Sequence, residues 1–148
     1  MATHQAYLDR VEALDLEELD RHIEAIQSIE GAKATKAQLT ATQKQLRYIK
    51  QELNAEIKAI RARYQAELST AGATGGSVMG MLGAFGVKGM RGAGKSHQAD
   101  AKRRLREKQN RELDPYNRVK LLIDGILAEI DKEKAKIDSY IFDQRNNL

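Results

Sequence analysis

The sequence predicts an all-α protein: a long helical hairpin, or coiled-coil-like arms, joined by a glycine-rich connector. Charged residues make up 31% of the 148 residues, aromatic residues only 5%, and Pro115 is the single proline. This composition is typical of long helices. Apolar residues recur at three- and four-residue intervals in two long stretches. No stretch shows the alternation of apolar and polar residues, bounded by turn residues, that predicts a strand.

Residues 1–31 form the first predicted segment, which is acidic and helical. Asp15 and Glu18 have the spacing of an N-cap and the third helical position, and Gly31 suits the end of that helix. A short extra helix is expected before it, formed around Tyr7, Leu8 and Val11. The apolar stripe of the main helix consists of Leu16, Leu19, Ile23 and Ile26.

A long amphipathic helix is predicted over residues 35–68. Thr35 and Gln38 have the spacing of a capping box, which marks the beginning of the helix. Polar residues occupy almost all positions between its apolar ones, so the helix is expected to bury one narrow seam. The seam consists of Leu39, Leu46, Ile49, Leu53, Ile57, Ile60, Tyr64 and Leu68.

The second arm is predicted over residues 97–143 as a basic helix that continues into a coiled-coil-like helix. Asp114 and Pro115 suit an N-cap and a first helical position, so a kink or a fresh helix start is expected there. Beyond it, apolar residues alternate at three- and four-residue spacing, interrupted at Glu133. They are Tyr116, Val119, Ile123, Ile126, Ile130, Ile137 and Tyr140.

The stretch GMRGAGKS, residues 89–96, matches the spacing of the phosphate-binding loop of NTPases. Such a loop follows a buried strand and precedes a helix with an apolar face, whereas here a glycine-rich stretch precedes it and a highly charged stretch follows. We therefore interpret the match as accidental and expect Ser96 to cap the basic helix. The chain has no cysteine, and we predict no enzyme activity, catalytic residue, metal site, cofactor or small-molecule substrate.

Residues 69–96 are predicted to be a glycine-rich connector, and residues 68–87 carry no charge. Glycine or alanine recurs at every fourth position, a pattern that allows close helix–helix approach. In composition the stretch resembles glycine-zipper segments of membrane proteins and viral fusion peptides. It could be an element packed in an assembly, a membrane-contacting element or a plain linker. The residues predicted to pack or to contact a membrane are Gly72, Gly76, Gly80, Ala84, Met81, Leu82 and Phe85.

A basic run follows the glycines and is predicted to bind anions, either lipid headgroups or nucleic acid. Because the run lacks aromatic side chains that would stack on bases, nucleic acid is the less favoured partner. The candidate anion-binding residues are Lys88, Arg91, Lys95, Lys102, Arg103 and Arg104.

These patterns lead to one expected function and two alternatives. The first is a non-enzymatic, self-assembling scaffold or interaction protein that forms homo-oligomers and packs its glycine-rich segment tightly. The second is a membrane-associated or membrane-inserting protein that uses residues 68–87 and the adjacent basic run to bind anionic lipid. The third is a nucleic-acid-binding protein that uses residues 88–111. The expected location is the cytoplasm, or the periphery of a membrane.

Overall fold

The computed structural model describes residues 3–84 and 89–147, with side chains described for 3–69 and 99–147. Its helices are α1 (His4–Glu12), α2 (Leu16–Glu24), α3 (Ile29–Ala84) and α4 (Gly89–Asn146). No strand occurs over this part of the chain, so the predicted all-α class is confirmed. The chain divides into unit 1, Met1–Asn54 with Tyr116–Leu148, and unit 2, Ala55–Pro115.

Both short helices begin at capping side chains. The Thr3 hydroxyl accepts a hydrogen bond from the Ala6 N–H at 3.3 Å. The Asp15 carboxylate accepts one from the Glu18 N–H at 3.3 Å, while Asp15 itself has a left-handed backbone with φ 50°. The short helix expected around Tyr7, Leu8 and Val11 is present as α1, on which Tyr7 and Val11 are buried and Leu8 is half-buried. The predicted beginning of α2 is therefore confirmed.

The beginning of α3 differs from the prediction because Ser28 caps it. The Ser28 hydroxyl accepts from the Gly31 N–H at 3.0 Å, and the Ser28 carbonyl accepts from the Ala32 N–H at 2.9 Å. A Cβ at Gly31 would lie only 3.2 Å from the Ser28 hydroxyl, so glycine leaves room for this cap. The prediction that Gly31 ends one helix and Thr35 begins the next is wrong, and α2 ends at Glu24 instead.

Thr35 lies within α3 and is buried, and its hydroxyl donates to the Gly31 carbonyl at 2.9 Å. The seam predicted for this helix is buried from Leu39 to Tyr64, and Leu68 is half-buried. The helix does not end at Leu68 but continues to Ala84. Extending an existing helix by one residue is far easier than nucleating one, so α3 continues through the first part of the predicted connector.

Helix α4 begins at Gly89, well before the predicted beginning at residue 97, so Ser96 lies inside the helix and does not cap it. The helix also continues through Pro115, so the predicted fresh start there is wrong, while the predicted kink stays a prediction. A proline removes one backbone donor, but the helix is supported on the C-terminal side of Pro115 by the buried side chains of Tyr116, Val119 and Ile123.

In unit 1, α3 and α4 run antiparallel with a seven-residue repeat of polar contacts. Lys36 Nζ lies 2.5 Å from Asp138 Oδ1, and Gln43 Nε2 donates to Asp131 Oδ1 at 2.6 Å. The next pair is Lys50 with Asp124. Each step of seven residues up α3 matches a step of seven down α4, which fixes both the direction and the register of the pairing.

Helix α1 docks onto the same pair of helices in unit 1. The Tyr7 hydroxyl donates to the Glu52 backbone carbonyl at 3.4 Å, and the Arg10 guanidinium pairs with the Glu52 carboxylate. The His4 ring also contacts the Tyr116 ring of α4 edge-on, with 5.7 Å between centroids. The first helix is therefore tied to both α3 and α4.

Candidate assembly and anion-binding surfaces

The predicted packing glycines lie on a continuous helix. Gly72, Gly76 and Gly80 belong to α3, which ends at Ala84. Because one turn takes 3.6 residues, four-residue spacing keeps these positions along one side of the helix. Met81 and Leu82 also lie on α3, outside the described side chains, and Phe85 lies outside the described residues altogether.

The basic run is only partly described. Lys88 lies outside the described residues, and Arg91 and Lys95 belong to α4 with side chains that are not described. Arg103 and Arg104 are exposed, and Lys102 is half-buried. Arg103 lies 3.8 Å from Asp100 on the preceding turn, an exposed pair of small energetic weight. Further exposed basic side chains follow on the same helix: Arg106, Lys108 and Arg111.

Positive charge is concentrated in unit 2. By sequence its residues include twelve basic and six acidic side chains, a net charge of +6, whereas unit 1 has thirteen basic and fifteen acidic, a net charge of −2. A unit with this excess attracts anionic surfaces whatever their detailed chemistry.

Glu112 is the centre of a polar cluster in unit 2 that the sequence interpretation missed. Its carboxylate accepts from Arg63 Nη2 at 2.5 Å and from the Tyr64 hydroxyl. The Tyr64 hydroxyl, and then Arg63, hold the pKa of Glu112 below its usual range, although desolvation opposes this. The same hydrogen bond raises the pKa of Tyr64. The cluster joins α3 to α4 by charge-assisted hydrogen bonds.

Gln43 forms the corresponding polar contact inside unit 1. It is only 2% exposed, and both ends of its amide are satisfied by α4. The nitrogen donates to Asp131, as described above, and the oxygen accepts from Lys134 Nζ at 3.0 Å. A buried amide with two partners of fixed position resists slippage of one helix past the other, because any other register would leave it unsatisfied.

Glu52 anchors α1 through its side chain as well as its backbone. Its hydrogen bond with Arg10 lowers the pKa of the Glu52 carboxyl, and the Tyr48 hydroxyl adds to this effect. Tyr48 is itself 59% exposed, next to an open groove of about 440 Å³ between α3 and the α1–α2 connection. The groove is lined mainly by apolar atoms and aliphatic stems and contains no catalytic grouping.

A second groove of about 250 Å³ lies between α2, α3 and α4 in unit 1, lined by Leu19, Ile23, Leu39 and Ile130 among others. Helix α2 buries no residue completely. Its attachment includes a contact at 2.8 Å between His22 Nδ1 and Gln38 Oε1. Among residues 3–69 and 99–147, no group of three or more His, Cys, Asp or Glu side chains is placed to hold a metal ion.

The outer face of α4 carries large apolar side chains in solvent. Leu121 is 71% exposed, Leu122 44% and Phe142 64%. This face was not predicted, because the apolar residues of α4 at three- and four-residue spacing indicate one buried seam only. The signal was present in the residues between Leu121 and Phe142, whose small side chains recur at three- and four-residue intervals.

None of the described helical residues forms a stretch long and apolar enough to cross a membrane. No protein-family model, curated protein or solved structure matches the chain.

Proposed function

We propose that this chain is a non-enzymatic helical scaffold that associates with copies of itself, with the glycine-rich end of α3 packed tightly in the assembly. The observation that carries the proposal is that α3 remains helical through Gly72, Gly76 and Gly80 as far as Ala84.

Glycine inside a helix costs about 0.5–1 kcal/mol relative to alanine. Three glycines at four-residue spacing therefore weaken α3 by about 2 kcal/mol unless packing offsets the loss. Along one side of a helix such glycines leave the backbone accessible, so another helix can approach closely and gain dispersion contacts. A plain linker needs no helix, and an ordinary solvent-exposed helix needs no glycine.

The α3–α4 pair in unit 1 suits the framework of such a scaffold. Its contacts at Lys36, Gln43 and Lys50 repeat every seven residues, which is the repeat of a coiled coil. A pair with fixed register gives unit 1 a regular framework. We therefore describe the two arms as coiled-coil-like.

The non-enzymatic part of the proposal is supported by the backbone of residues 89–96. The NTPase phosphate loop presents successive backbone N–H groups to the phosphates from a strand-to-helix turn. Here the matching residues are the first residues of α4. A helical backbone directs its N–H groups along the axis, so a loop-shaped cradle does not form from it.

A second candidate is binding to an anionic surface, favoured by the net charge of +6 in unit 2. Lipid headgroups are the preferred anion, because the basic residues follow an uncharged glycine-rich stretch and interleave with no aromatic side chains. Nucleic acid is the remaining possibility under this candidate.

The experiment that tests the scaffold proposal compares two neighbouring glycines. Gly75 and Gly76 are separated by 100° around α3, and only Gly76 belongs to the four-residue series. We expect the wild-type chain to be oligomeric by size-exclusion chromatography with light scattering. Gly76→Leu should lower the mass, whereas Gly75→Leu and Gly76→Ala should preserve it. A wild-type chain that remains monomeric over a wide concentration range would contradict self-association.

A further inference from the structure

Helix α4 carries a second regular stripe on the side away from its buried seam. Its members recur at alternating four- and three-residue spacing, and all of them are exposed. With 100° per residue, this stripe lies roughly opposite the buried positions Val119, Ile123, Ile130 and Ile137. We call it the outer stripe; it consists of Leu121, Gly125, Ala128, Lys132, Ala135, Ser139 and Phe142.

The two ends of the outer stripe are large and apolar, and its middle is narrow. Leu121 and Phe142 are 71% and 64% exposed, so covering them removes apolar surface from water. Between them, only Lys132 is larger than serine. A Cβ added to Gly125 would meet nothing within 4 Å, so packing inside the chain does not require glycine there. Glycine on this exposed turn carries a cost in helix stability that close contact from outside would offset.

The charges on one flank of the outer stripe favour a second, antiparallel copy of α4. Glu129 and Lys136 lie on the same flank, at nearly equal distances on either side of Lys132. If a second copy of α4 lies antiparallel and centred on Lys132, Glu129 of each chain faces Lys136 of the other. In a parallel copy the two different flanks would meet instead, and Asp124 would face Glu129 of the other chain, which is repulsive. The acidic residues of the second flank face each other in the antiparallel pair, but each is already bound within its own chain to a side chain of α3; they are Asp124, Asp131 and Asp138.

The same antiparallel pairing is consistent along the rest of the stripe. Leu121 faces the aromatic Phe142 of the other copy, Gly125 faces Ser139, and Ala128 faces Ala135. Lys132 meets its counterpart near the centre, but each lysine also lies 3.4 Å from Glu129 of its own chain, which compensates the charge. The apolar ends therefore cover each other and the small residues meet in the middle.

We propose that a second copy of this chain packs antiparallel on the outer stripe of α4, with a twofold axis at Lys132. The inference rests on the proposed self-association and names a partner and a contact for it. The surface lies within unit 1, so it is separate from the glycine series of α3.

Single-cysteine cross-linking tests the pairing, because the chain has no cysteine of its own. In the antiparallel dimer the two copies of residue 132 meet, so Lys132→Cys should form a disulfide-linked dimer under mild oxidation. The two copies of residue 139 would be about 21 Å apart along the axis, far beyond the about 7 Å limit for Cα atoms joined by a disulfide. Ser139→Cys should therefore remain monomeric on a denaturing gel. Cross-linking of both variants, of Ser139→Cys alone or of neither would overturn the proposal.

A pair of alanine variants provides an independent measurement. Ala128 lies in the outer stripe, and Ala37 is an exposed alanine on α3 in the same unit. Ala128→Glu should raise the dimer dissociation constant in sedimentation equilibrium at least tenfold, while Ala37→Glu, with the same change of charge, leaves it unchanged. Circular dichroism should show both variants to be as helical as the wild type. Equal dissociation constants for the two variants would overturn the proposal.

The two self-association contacts are distinguishable. Loss of mass in Gly76→Leu without Lys132→Cys cross-linking would support the glycine contact and overturn the outer-stripe contact. Cross-linking at residue 132 with no effect of Gly76→Leu would support the outer stripe and contradict the proposed packing role of the glycines.

Discussion

Glu112 links the protonation state of unit 2 to its folding, because its carboxylate accepts from both Tyr64 and Arg63. The Tyr64 residue is almost completely buried, at 2% exposed. A hydroxyl in that position requires a partner, and an ionised Glu112 is a stronger acceptor than a neutral one. The contact is therefore weakened in acid, where Glu112 becomes protonated, and in alkali, where Tyr64 becomes ionised.

We predict that stability falls at both ends of the pH range through this pair. The pKa of Glu112 is lowered by folding, so its contribution is present above the unfolded value of about 4.3 and lost as pH falls through the folded pKa. The pKa of Tyr64 is raised, so its contribution is present below about 10 and lost as pH rises through the folded pKa.

Urea denaturation across a pH series measures both effects. Glu112→Gln should flatten the acid limb, and Tyr64→Phe should flatten the alkaline limb and lower the free energy of unfolding by about 1 kcal/mol near neutrality. Glu107→Gln, an exposed carboxamide substitution on the same helix, is the control and should retain both limbs. Unchanged limbs in the Glu112 and Tyr64 variants would show that the contact does not govern the pH dependence.

Among the elements, the beginning of α3 shows how one side chain sets a boundary. Glycine is the residue that most often ends a helix, yet Gly31 lies in the first turn of α3. The Ser28 hydroxyl, three residues earlier, accepts the hydrogen bond of the Gly31 N–H and so begins the helix. A helix end at Gly31 and a helix beginning capped by Ser28 are alternative local structures. A capping hydrogen bond contributes about 1 kcal/mol, which is enough to decide between them.

We predict that Ser28→Ala lowers the free energy of unfolding by about 1 kcal/mol, because the Gly31 N–H loses its acceptor. Ser28→Asp should retain the stability, since a carboxylate also caps and interacts favourably with the helix dipole. Ser69→Ala is the matched control, because Ser69 is exposed in the interior of α3 and alanine is a better helix former. Thermal or urea denaturation measures all three, and equal stability of Ser28→Ala and wild type would contradict the capping role.

The sequence predicted the elements better than their ends or their pairing. The buried seam from Leu39 to Tyr64 follows from the spacing of its apolar residues alone, because the apolar side of a helix is buried whichever element covers it. The boundaries at Gly31, Leu68 and Ser96 were wrong because each rested on a single residue type. The Lys36–Asp138 pairing depends on register between distant stretches, which neither stretch sets by itself. The outer stripe was readable from residues 121–142, but only the exposure of Leu121 and Phe142 shows it to be an outer face.

For the whole molecule, the separation of charge between the two units matters more than the net charge of +4. Unit 1 is slightly negative and contains the paired contacts at Lys36, Gln43 and Lys50, while unit 2 carries the positive excess. The proposed outer-stripe contact and the proposed anion binding therefore involve residues of different units and can be measured separately.

We predict that, if the anion-binding candidate is correct, the full chain floats with vesicles that contain anionic lipid at low salt and dissociates as salt is raised. Each basic side chain near such a surface contributes about 1 kcal/mol, so Arg103→Gln with Arg104→Gln should weaken binding by about tenfold or more. Lys44→Gln with Arg47→Gln removes the same charge from unit 1 and should have little effect. Equal weakening by the two double variants would mean that net charge alone governs binding. A chain that stays unbound at low salt would exclude the lipid form of the candidate, and a salt-sensitive gel shift with DNA or RNA would then decide for nucleic acid.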